Sequence, residues 1–535
     1  MSINLKYLVA IFFFLGFKFL SAQQDAWVYL TDKQNVAQAI SNPITILSQE
    51  AIDRKNAQGI SIDYRDVPVN ESYISQLKSQ TGIQVLAKSK WFNAVHVRGS
   101  QSAINALLNL SFVDYIHFAD TSLNARMVEA EDKFLIENLL IDFNYNNTQN
   151  QVEMINVDCM HTNDYTGEGI VVAVLDAGFP NVNTMSSFQR IRDNNDLLNG
   201  YDFVDRNSNV YSYTDNNHGT KVLSTMAGYI ENQYVGTAPD ASYYLFRTED
   251  AGSENPVEES YWVEAAERAD SLGVDIINSS LGYSYYDNPA YNYTPADMNG
   301  NTAFITKGAN IAAEKGIVVV TSAGNSGAST WQIVTAPGDA ANVLTVGAVD
   351  ANGNYVSFSS RGNATQPTQK PDVVAKGASS AVIDQNDNIV FNSGTSFSAP
   401  ITAGAVACLL QQHPGLPVGQ VTEAIRMSGS QYSAPDNLLG YGIPDFCLAG
   451  SSLDTVEITN EHFSIYPNPV NDRVYLKTSY EGPLSVSVVD FLGKEVLGKT
   501  KLVGNEIALS KLKSGVYFLK IHSTQNLNII KFIKY

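Results

Sequence analysis

Two continuous apolar runs, each followed by a turn of small residues, constrain the fold of this chain more than any other feature. Residues 170–175 read Ile-Val-Val-Ala-Val-Leu, and residues 317–321 read Ile-Val-Val-Val-Thr. Strands that are apolar and β-branched along their whole length are typical of a parallel sheet that is buried on both faces. The chain is therefore predicted to contain an α/β domain built on such a sheet.

Three polar residues stand where acyl-transfer chemistry is favoured. Asp176 ends the first apolar run, and functional residues in open α/β sheets gather at strand C-termini. His218 leaves a polar loop and enters a helix of small residues. Ser396 lies where a small-residue turn enters an Ala-rich helix, whose free N–H groups favour developing negative charge. Each has a structural alternative when taken alone, such as an ordinary helix cap for the serine.

The order of the three residues indicates a particular class of hydrolase. A serine hydroxyl needs a base, and the base needs a third group to orient it. The order Asp, His, Ser is the subtilisin order and differs from that of chymotrypsin and the α/β-hydrolases. The segments around Asp176, His218 and Ser396 resemble the subtilase family, and the resemblance covers about residues 145–450. It implies that these residues form a catalytic triad on a subtilisin-like, mostly parallel sheet flanked by helices.

Further family-like segments imply the rest of a peptide-binding site. Asn325 lies in an Ala-Gly-Asn turn after the second apolar run, where an uncharged N–H donor suits an oxyanion. The resemblance implies this role for Asn325, and a simple turn residue is the alternative. It also implies two backbone walls that receive an extended peptide as an added strand. The predicted wall residues are Ser280, Leu281, Gly282, Ser322, Ala323 and Gly324.

The two ends of the chain predict export. Residues 1–22 have a lysine, a short apolar run and a small residue at the end, as in a secretory signal peptide. Subtilases carry a pro-region before the catalytic motifs, which the resemblance places at 23–142 as a small α+β domain that blocks the cleft. Within it, residues 91–110 read as an alternating strand and an amphipathic helix capped by Ser100 or Ser102.

The C-terminal part changes to short alternating strands between turn signals. After a peptidase domain at 143–450 and a linker at 451–461, residues 462–535 are predicted to form a β-sandwich. The predicted strands are 473–478, 484–490, 495–498, 515–521 and 527–533.

The same C-terminal part resembles the sorting domain of proteins exported by the type IX system of Bacteroidota. The resemblance rests on a Tyr-Pro-Asn-Pro start at 466–469, an Asp-x-x-Gly-Lys hairpin and a basic-aromatic end. It implies the type IX secretion machinery as a partner. It also implies a secreted or cell-surface protein that crosses the outer membrane of a Gram-negative bacterium. A generic carbohydrate- or protein-binding β-module is the alternative.

Composition excludes some partners and leaves others open. The 535 residues carry a net charge of −20, which argues against nucleic-acid binding. No segment after the N-terminus reaches the roughly 18 apolar residues of a transmembrane helix, and residues 401–410 read as a core helix.

Of three cysteines, Cys408 is predicted to be a small buried hydrophobe, while a Cys159–Cys447 bridge is left open.

No metal ligand set or certain cofactor is predicted, although a structural Ca²⁺ is left open. Three loops are rich in oxygen ligands, at 205–209, 297–300 and 384–388. None has the full spacing of an EF-hand, and solvated loops are the preferred interpretation.

These features predict a secreted serine endopeptidase, made as a self-processing precursor, that hydrolyses extended protein segments through an acyl-enzyme. Its predicted partners are protein or peptide substrates and its own pro-region, which acts as an intramolecular inhibitor. One alternative is a surface scaffold or adhesion protein whose protease domain acts only on its own pro-region. Another is an adhesin with an inactive protease fold, against which the presence of all the site residues argues.

Overall fold

The computed structural model divides into two compact units, Met1–Ser452 and Leu453–Tyr535. The signal peptide predicted for residues 1–22, most of the junction after the pro-region and most of the predicted linker lie outside the described residues. The described residues are 23–120, 123, 147–453, 463–478, 484–490, 494–502, 504–522 and 527–535.

The pro-region part of the first unit is an antiparallel sheet with helices, as predicted. Its elements are β1 (Gln23–Leu30), α1 (Val36–Ser41), α2 (Gln49–Ala57), α3 (Glu71–Lys78), β2 (Ile83–Ser89), β3 (Ala94–Ser100), α4 (Gln101–Ala106) and β4 (Val113–Phe118). The strand order is β2–β3–β1–β4. The predicted strand and helix are confirmed, because Ser100 ends β3 and its Oγ caps α4 by accepting a hydrogen bond from Ala103 N.

The peptidase part follows in the same unit. Its helices are α5 (Gln149–Glu153), α6 (Val157–Thr162), α7 (Gln189–Asp193), α8 (His218–Ala227), α9 (Val257–Ser271), α10 (Phe304–Glu314), α11 (Thr395–Gln412), α12 (Val418–Met427) and α13 (Phe446–Leu453). Its strands are β5 (Val171–Asp176), β6 (Tyr201–Asp202), β7 (Tyr229–Ile230), β8 (Tyr234–Val235), β9 (Ser242–Arg247), β10 (Ile276–Ser279), β11 (Val318–Ser322), β12 (Leu344–Val349), β13 (Val373–Lys376), β14 (Ser380–Ile383) and β15 (Ile389–Asn392).

The predicted parallel sheet is confirmed, with seven strands in the order β13–β12–β11–β10–β5–β9–β6. After β5, the chain first adds β6 and β9 on one side of β5. It then crosses to the other side of β5, where it adds β10, β11, β12 and β13 in turn. The direction of strand order therefore reverses between β5 and β10. In open α/β sheets, ligands bind outside the carboxyl ends of the strands at such a switch point.

Helices bury the sheet because the strands carry apolar residues on both of its faces. Ala173 and Leu175 of β5 belong to one core with Trp262 of α9, and because strand residues alternate, Val172 and Val174 face the other way. Helix α11 contacts β10, β11, β12 and β13, and it is buried from Thr395 to Leu410. The predicted core helix is thus confirmed. In the described part of the chain, no helix is both long and apolar enough to cross a membrane.

The cysteines stabilise the peptidase part in two ways. A disulfide joins Cys159 of α6 to Cys447 of α13, which settles the pairing that the sequence left open. Because 288 residues separate them, the bond constrains a long loop of the unfolded chain. Cys408 is buried in α11, as predicted, and its Sγ donates to the carbonyl of Thr237 (3.2 Å). Burial raises the pKa of the Cys408 thiol.

The second unit is a β-sandwich, as predicted. Its strands are β16 (Phe463–Tyr466), β17 (Arg473–Thr478), β18 (Ser485–Asp490), β19 (Glu495–Lys501), β20 (Glu506–Ala508), β21 (Gly515–His522) and β22 (Leu527–Lys534). They form two antiparallel sheets, β16–β17–β20 and β19–β18–β21–β22. Leu476 and Ile507 of one sheet share a core with Val488, Leu519 and Phe532 of the other. Strands β16 and β20 were not predicted.

Two helical glycines give opposite expectations for the stability of the first unit. A Cβ at Gly404 of α11 would lie 2.0 Å from Thr237 Oγ1, so Gly404→Ala should lower the free energy of unfolding by about 1–3 kcal/mol. A Cβ at Gly419 of α12 would meet nothing within 4 Å, so Gly419→Ala should raise it by about 0.5–1 kcal/mol. Urea unfolding followed by tryptophan fluorescence measures this, because all four tryptophans lie in the first unit. Equal stabilities for the two variants would contradict this account of α11 packing.

Candidate active site

Asp176 and His218 form a buried pair at the carboxyl edge of the sheet. Asp176 ends β5 and is fully buried, and its Oδ1 accepts hydrogen bonds from His218 Nδ1 (2.8 Å) and Ala177 N (2.7 Å). His218 begins α8, where its backbone N–H donates to Asn216 Oδ1 (2.8 Å). With Nδ1 donating to a carboxylate, Nε2 is the ring nitrogen that can accept a proton.

The glycine after the histidine permits this pairing. A Cβ at Gly219 would lie 2.5 Å from the carbonyl oxygen of Gly178 and 3.0 Å from Cβ of Asp176. Any side chain there would push the start of α8 away from the end of β5. The His-Gly sequence therefore has a steric reason, which is the close approach of a helix to a strand end.

Ser396 lies in the first turn of α11, as predicted, and is tied to the end of β10. Ser280 Oγ donates to the carbonyl oxygen of Ser396 (2.9 Å), and Ser396 Oγ donates to the carbonyl oxygen of Ser280 (3.3 Å). Only 8% of Ser396 is exposed, and it lines the same cleft as His218. The start of α11 favours negative charge beside the hydroxyl, because the dipole of a helix is positive at its N-terminal end.

Asn325 is oriented by a residue that the sequence analysis missed. Its Oδ1 accepts hydrogen bonds from the N–H of Thr395 (2.9 Å) and from Thr395 Oγ1 (2.9 Å), and Thr395 Oγ1 in turn accepts from the N–H of Gly324 (3.2 Å). Gly324 has φ +101°, a backbone conformation that favours glycine. With the amide oxygen occupied, the amide nitrogen faces away from Thr395. The position of Thr395 directly before the serine was the available signal.

The cleft between these elements has a volume of about 260 Å³ and is lined by His218, Asn325 and Ser396 together. Phe397 and Lys221 also line it, and neither was predicted. The Phe397 ring centroid lies 6.0 Å from that of His218. Lys221 lies three residues after His218 on α8, so helical spacing could have placed it on the same face. Burial lowers the pKa of Lys221, although the charge of Asp384 opposes this shift.

The six predicted wall residues lie at the ends of the neighbouring strands β10 and β11. Ser322 Oγ donates to the carbonyl oxygen of Leu281 (3.3 Å), which joins the two segments. None of the six lines the 260 Å³ cleft.

A second missed residue, Thr335, lies between the two walls. A Cβ at Gly282 would lie 2.3 Å from Thr335 Oγ1, and a Cβ at Gly324 would lie 2.9 Å from the same atom. Thr335 is only 4% exposed, and its hydroxyl has no hydrogen-bond partner among the described residues. The threonine side chain therefore occupies the space that the two glycines leave open.

In each of the three oxygen-rich loops, an aspartate already accepts hydrogen bonds or an ion pair from the protein itself. Asp384 accepts two backbone N–H groups of its own turn, and Asp205 pairs with Arg247 (2.8 Å). Asp297 accepts hydrogen bonds from the N–H and the hydroxyl of Thr294 (2.8 and 2.7 Å). Within the described ranges, no group of three His, Cys, Asp or Glu side chains could hold a metal ion. At least one oxygen of each of these carboxylates is thus bonded to protein donors.

Comparison with known protein families agrees with this geometry. The subtilase family profile matches residues 167–442. A peptidase S8 propeptide domain of Bacteroidota matches residues 25–133, and a secretion-system C-terminal sorting domain matches residues 464–535. The chain belongs to the subtilase family. It is a subtilisin-like serine endopeptidase, made as a precursor with a propeptide and carrying a tail that directs secretion or cell-surface attachment.

Two similar proteins come from bacilli. Subtilisin DY of Bacillus licheniformis is 31% identical over 273 residues, which cover 50% of this chain and 87% of the relative. Subtilisin E of Bacillus subtilis (strain 168) is 30% identical over 282 residues, covering 52% of this chain and 65% of the relative. Among solved structures, that of MycP1 with the N-terminal propeptide removed aligns with a TM-score of 0.45 and 24% identity. That alignment covers 58% of this chain and 98% of that one.

Removal of divalent cations should leave the protein as stable as before. Because the candidate carboxylates are bonded to protein donors, we expect the same thermal midpoint with and without a strong chelator. Thermal unfolding followed by tryptophan fluorescence measures this in the first unit. A midpoint that falls with chelator and recovers with added Ca²⁺ would show that the protein binds calcium.

Proposed function

We propose that this secreted peptidase cuts extended segments of other proteins, using Asp176, His218 and Ser396 as a triad and passing through an acyl-enzyme. The observation that carries the proposal is the Asp176–His218 hydrogen bond of 2.8 Å at the side of a cleft that Ser396 also lines. The order of the three residues and the position of Ser396 at the start of α11 support it further.

In the first step, Ser396 Oγ attacks the carbonyl carbon of the scissile peptide bond. His218 Nε2 takes the hydroxyl proton, and Asp176 holds the ring in the required tautomer and stabilises the imidazolium. The imidazolium then returns its proton to the leaving amine. Water, activated by His218 in the same way, attacks the acyl-enzyme and releases the acid product. The buried position of Asp176 keeps its interaction with the ring unscreened by solvent.

The tetrahedral intermediate carries an oxyanion, for which the site offers two donors. One is the amide nitrogen of Asn325, whose oxygen is bonded twice to Thr395. The other is the backbone N–H of Ser396 at the start of α11. Donors fixed before the reaction need no reorganisation, and in a subtilisin the removal of one such donor slows turnover about 10²–10³-fold.

The substrate lies as an extended strand between the two wall segments. Thr335 fills the space between Gly282 and Gly324, so the substrate residue on the acyl side of the cut bond must be small. The buried Thr335 hydroxyl supports this reading, because an unpaired hydroxyl gains a partner when a small polar side chain enters. We therefore expect cleavage after Ala, Ser or Thr rather than after Phe or Tyr.

The C-terminal unit directs export in this proposal. The match to the secretion sorting domain supports recognition by the type IX machinery and transfer across the outer membrane. The propeptide match supports a precursor whose pro-region covers the cleft until it is cut away.

Substitution of the proposed nucleophile gives the direct test. Ser396→Ala should abolish removal of the pro-region and digestion of casein, because no other group can form the acyl-enzyme. The chain is expressed through a route that permits export, and the N-terminal mass and casein cleavage are read. Ser208→Ala, at an exposed loop serine, is the matched control and should behave as wild type. If wild type matures but does not cut casein, the protein acts only on its own pro-region.

Enlargement of the space at Thr335 should change specificity. Thr335→Gly should raise kcat/KM for substrates with Phe or Leu before the cut bond at least 10-fold relative to Ala, because about three heavy atoms leave the pocket. Thr335→Val keeps the volume and should retain the small-residue preference. A series of peptides that differ only at this residue measures the ratios. Efficient cleavage after Phe by wild type would contradict the proposed role of Thr335.

A further inference from the structure

One segment of the pro-region contacts the peptidase sheet at the amino ends of its strands, which is the end of the sheet farthest from the cleft. Residues 49–66, called the anchor segment, comprise α2 and the turn that follows it. A Cβ at Gly273 would lie 2.7 Å from Cβ of Glu50, and a Cβ at Gly316 would lie 2.5 Å from Gln58 Oε1. These two glycines precede β10 and β11, whereas Ser280 and Asn325 of the candidate site follow these strands. At about 3.3 Å per residue, the length of the strands alone separates their amino ends from their carboxyl ends by about 13 Å.

Ion pairs hold the anchor segment on this edge. Arg54 donates to the carbonyl oxygen of Val274 and to Asp270 Oδ1 (2.5 Å). Lys55 Nζ lies 2.7 Å from the same Asp270 oxygen. From the peptidase, Lys315 Nζ reaches back to Asp66 Oδ2 of the anchor segment (2.8 Å). The pro-region and the peptidase therefore each contribute both positive and negative side chains to this contact.

These charges are removed from water. Lys55, Asp66, Asp270 and Lys315 have no exposed surface, and Arg54 is 7% exposed. An ion buried in this way is costly unless it has a partner, and removal of one partner leaves the other buried and unpaired. Exposed ion pairs of the pro-region, such as Lys88–Glu71, carry no such penalty. The contact is therefore selective for a helix with an Arg-Lys pair followed by an acidic turn.

A separate contact docks the pro-region sheet on α9. The contact made by the anchor segment is therefore a second one between the pro-region and the peptidase. Glu267 accepts hydrogen bonds from the N–H groups of Lys90 and Trp91 (2.9 Å each) and from Ser89 Oγ (2.5 Å). Asp270 lies three residues further along the same helix, at its C-terminal end. Loss of the anchor contacts thus leaves the sheet-docking contacts in place.

We propose that Asp270, the Val274 carbonyl and Lys315 form a second binding site for the pro-region, remote from the cleft. Its occupant is the anchor segment of the same chain. The site keeps the pro-region bound after the junction between the pro-region and the peptidase is cut. It therefore delays the appearance of free peptidase. The delay rests on the proposed function, because self-processing makes the cut.

The test uses full-length chains that differ only in the pro-region, so that every matured peptidase is identical. Lys55→Ala removes a buried partner of Asp270, and Lys78→Ala removes an exposed lysine of α3 as the matched control. After export, the cut pro-region that co-elutes with the peptidase is measured, together with the rate at which peptide hydrolysis appears on dilution. Arg54 still pairs with Asp270 in this variant, so Lys55→Ala should release the pro-region about 10-fold faster than wild type. Lys78→Ala should release it at the wild-type rate.

A second measurement separates this inference from the proposed function. In an uncut Ser396→Ala chain, Lys55→Ala should lower the thermal midpoint of the first unit, and Lys78→Ala should leave it unchanged. Asp63→Asn is a milder variant for the case in which Lys55→Ala does not fold. It removes the charge of a half-exposed carboxylate 3.0 Å from Lys315 Nζ and should speed release several-fold. Release of the Lys55→Ala or Asp63→Asn pro-region at the wild-type rate would overturn the proposal. So would an unchanged midpoint in a chain that is never cut.

Discussion

The contact between the start of α11 and the end of β10 is the constraint on which the site depends. Two hydrogen bonds join Ser280 and Ser396 in opposite directions, so neither element can shift without breaking both. Because α11 is buried over most of its length and contacts four strands, this junction has a fixed position on the sheet. Thr395, one residue earlier, fixes Asn325 in turn. The proposed nucleophile, the proposed oxyanion donor and the proposed substrate wall are therefore positioned by the same rigid junction.

Local sequence patterns were sufficient for the parts of the site that depend on neighbouring residues. The apolar run before Asp176 predicted a buried strand, and the small residues around Ser396 predicted a helix start. The cap of α4 was predicted as Ser100 or Ser102 from the same kind of local signal, and it is Ser100. In each case the side chain and its environment lie within one element or one turn.

Contacts between distant parts of the chain could not be predicted in this way. Thr335 lies between two walls that come from other strands, and nothing in its immediate sequence marks it. The Cys159–Cys447 bond joins residues 288 positions apart, so three cysteines alone did not determine the pairing. Strand β20 has only three residues, too few for an alternating pattern to appear. The long-range pairing that defines these features emerges only from the tertiary structure.

The pro-region and the peptidase share a hydrophobic core in addition to their ion pairs. Trp27 of β1 stacks on Phe304 of α10, with ring centroids 4.8 Å apart, and its Nε1 donates to Ser260 Oγ of α9. Trp91 belongs to the same core as Trp262. A parallel sheet is dominated by contacts between distant residues and folds slowly, so a preformed partner surface assists its formation. The pro-region and the peptidase thus fold as one unit, and their separation exposes both apolar and charged surface.

Covalent labelling of the matured protein is the most direct test of the triad of Asp176, His218 and Ser396. A fluorophosphonate reacts only with a serine that a neighbouring base has activated, and mass spectrometry of a digest locates the adduct. One adduct, on Ser396, is expected in wild type, and none is expected in a His218→Ala chain whose pro-region has been removed by an added protease. An adduct on another serine, or equal labelling of Ser396 without His218, would contradict the proposed triad.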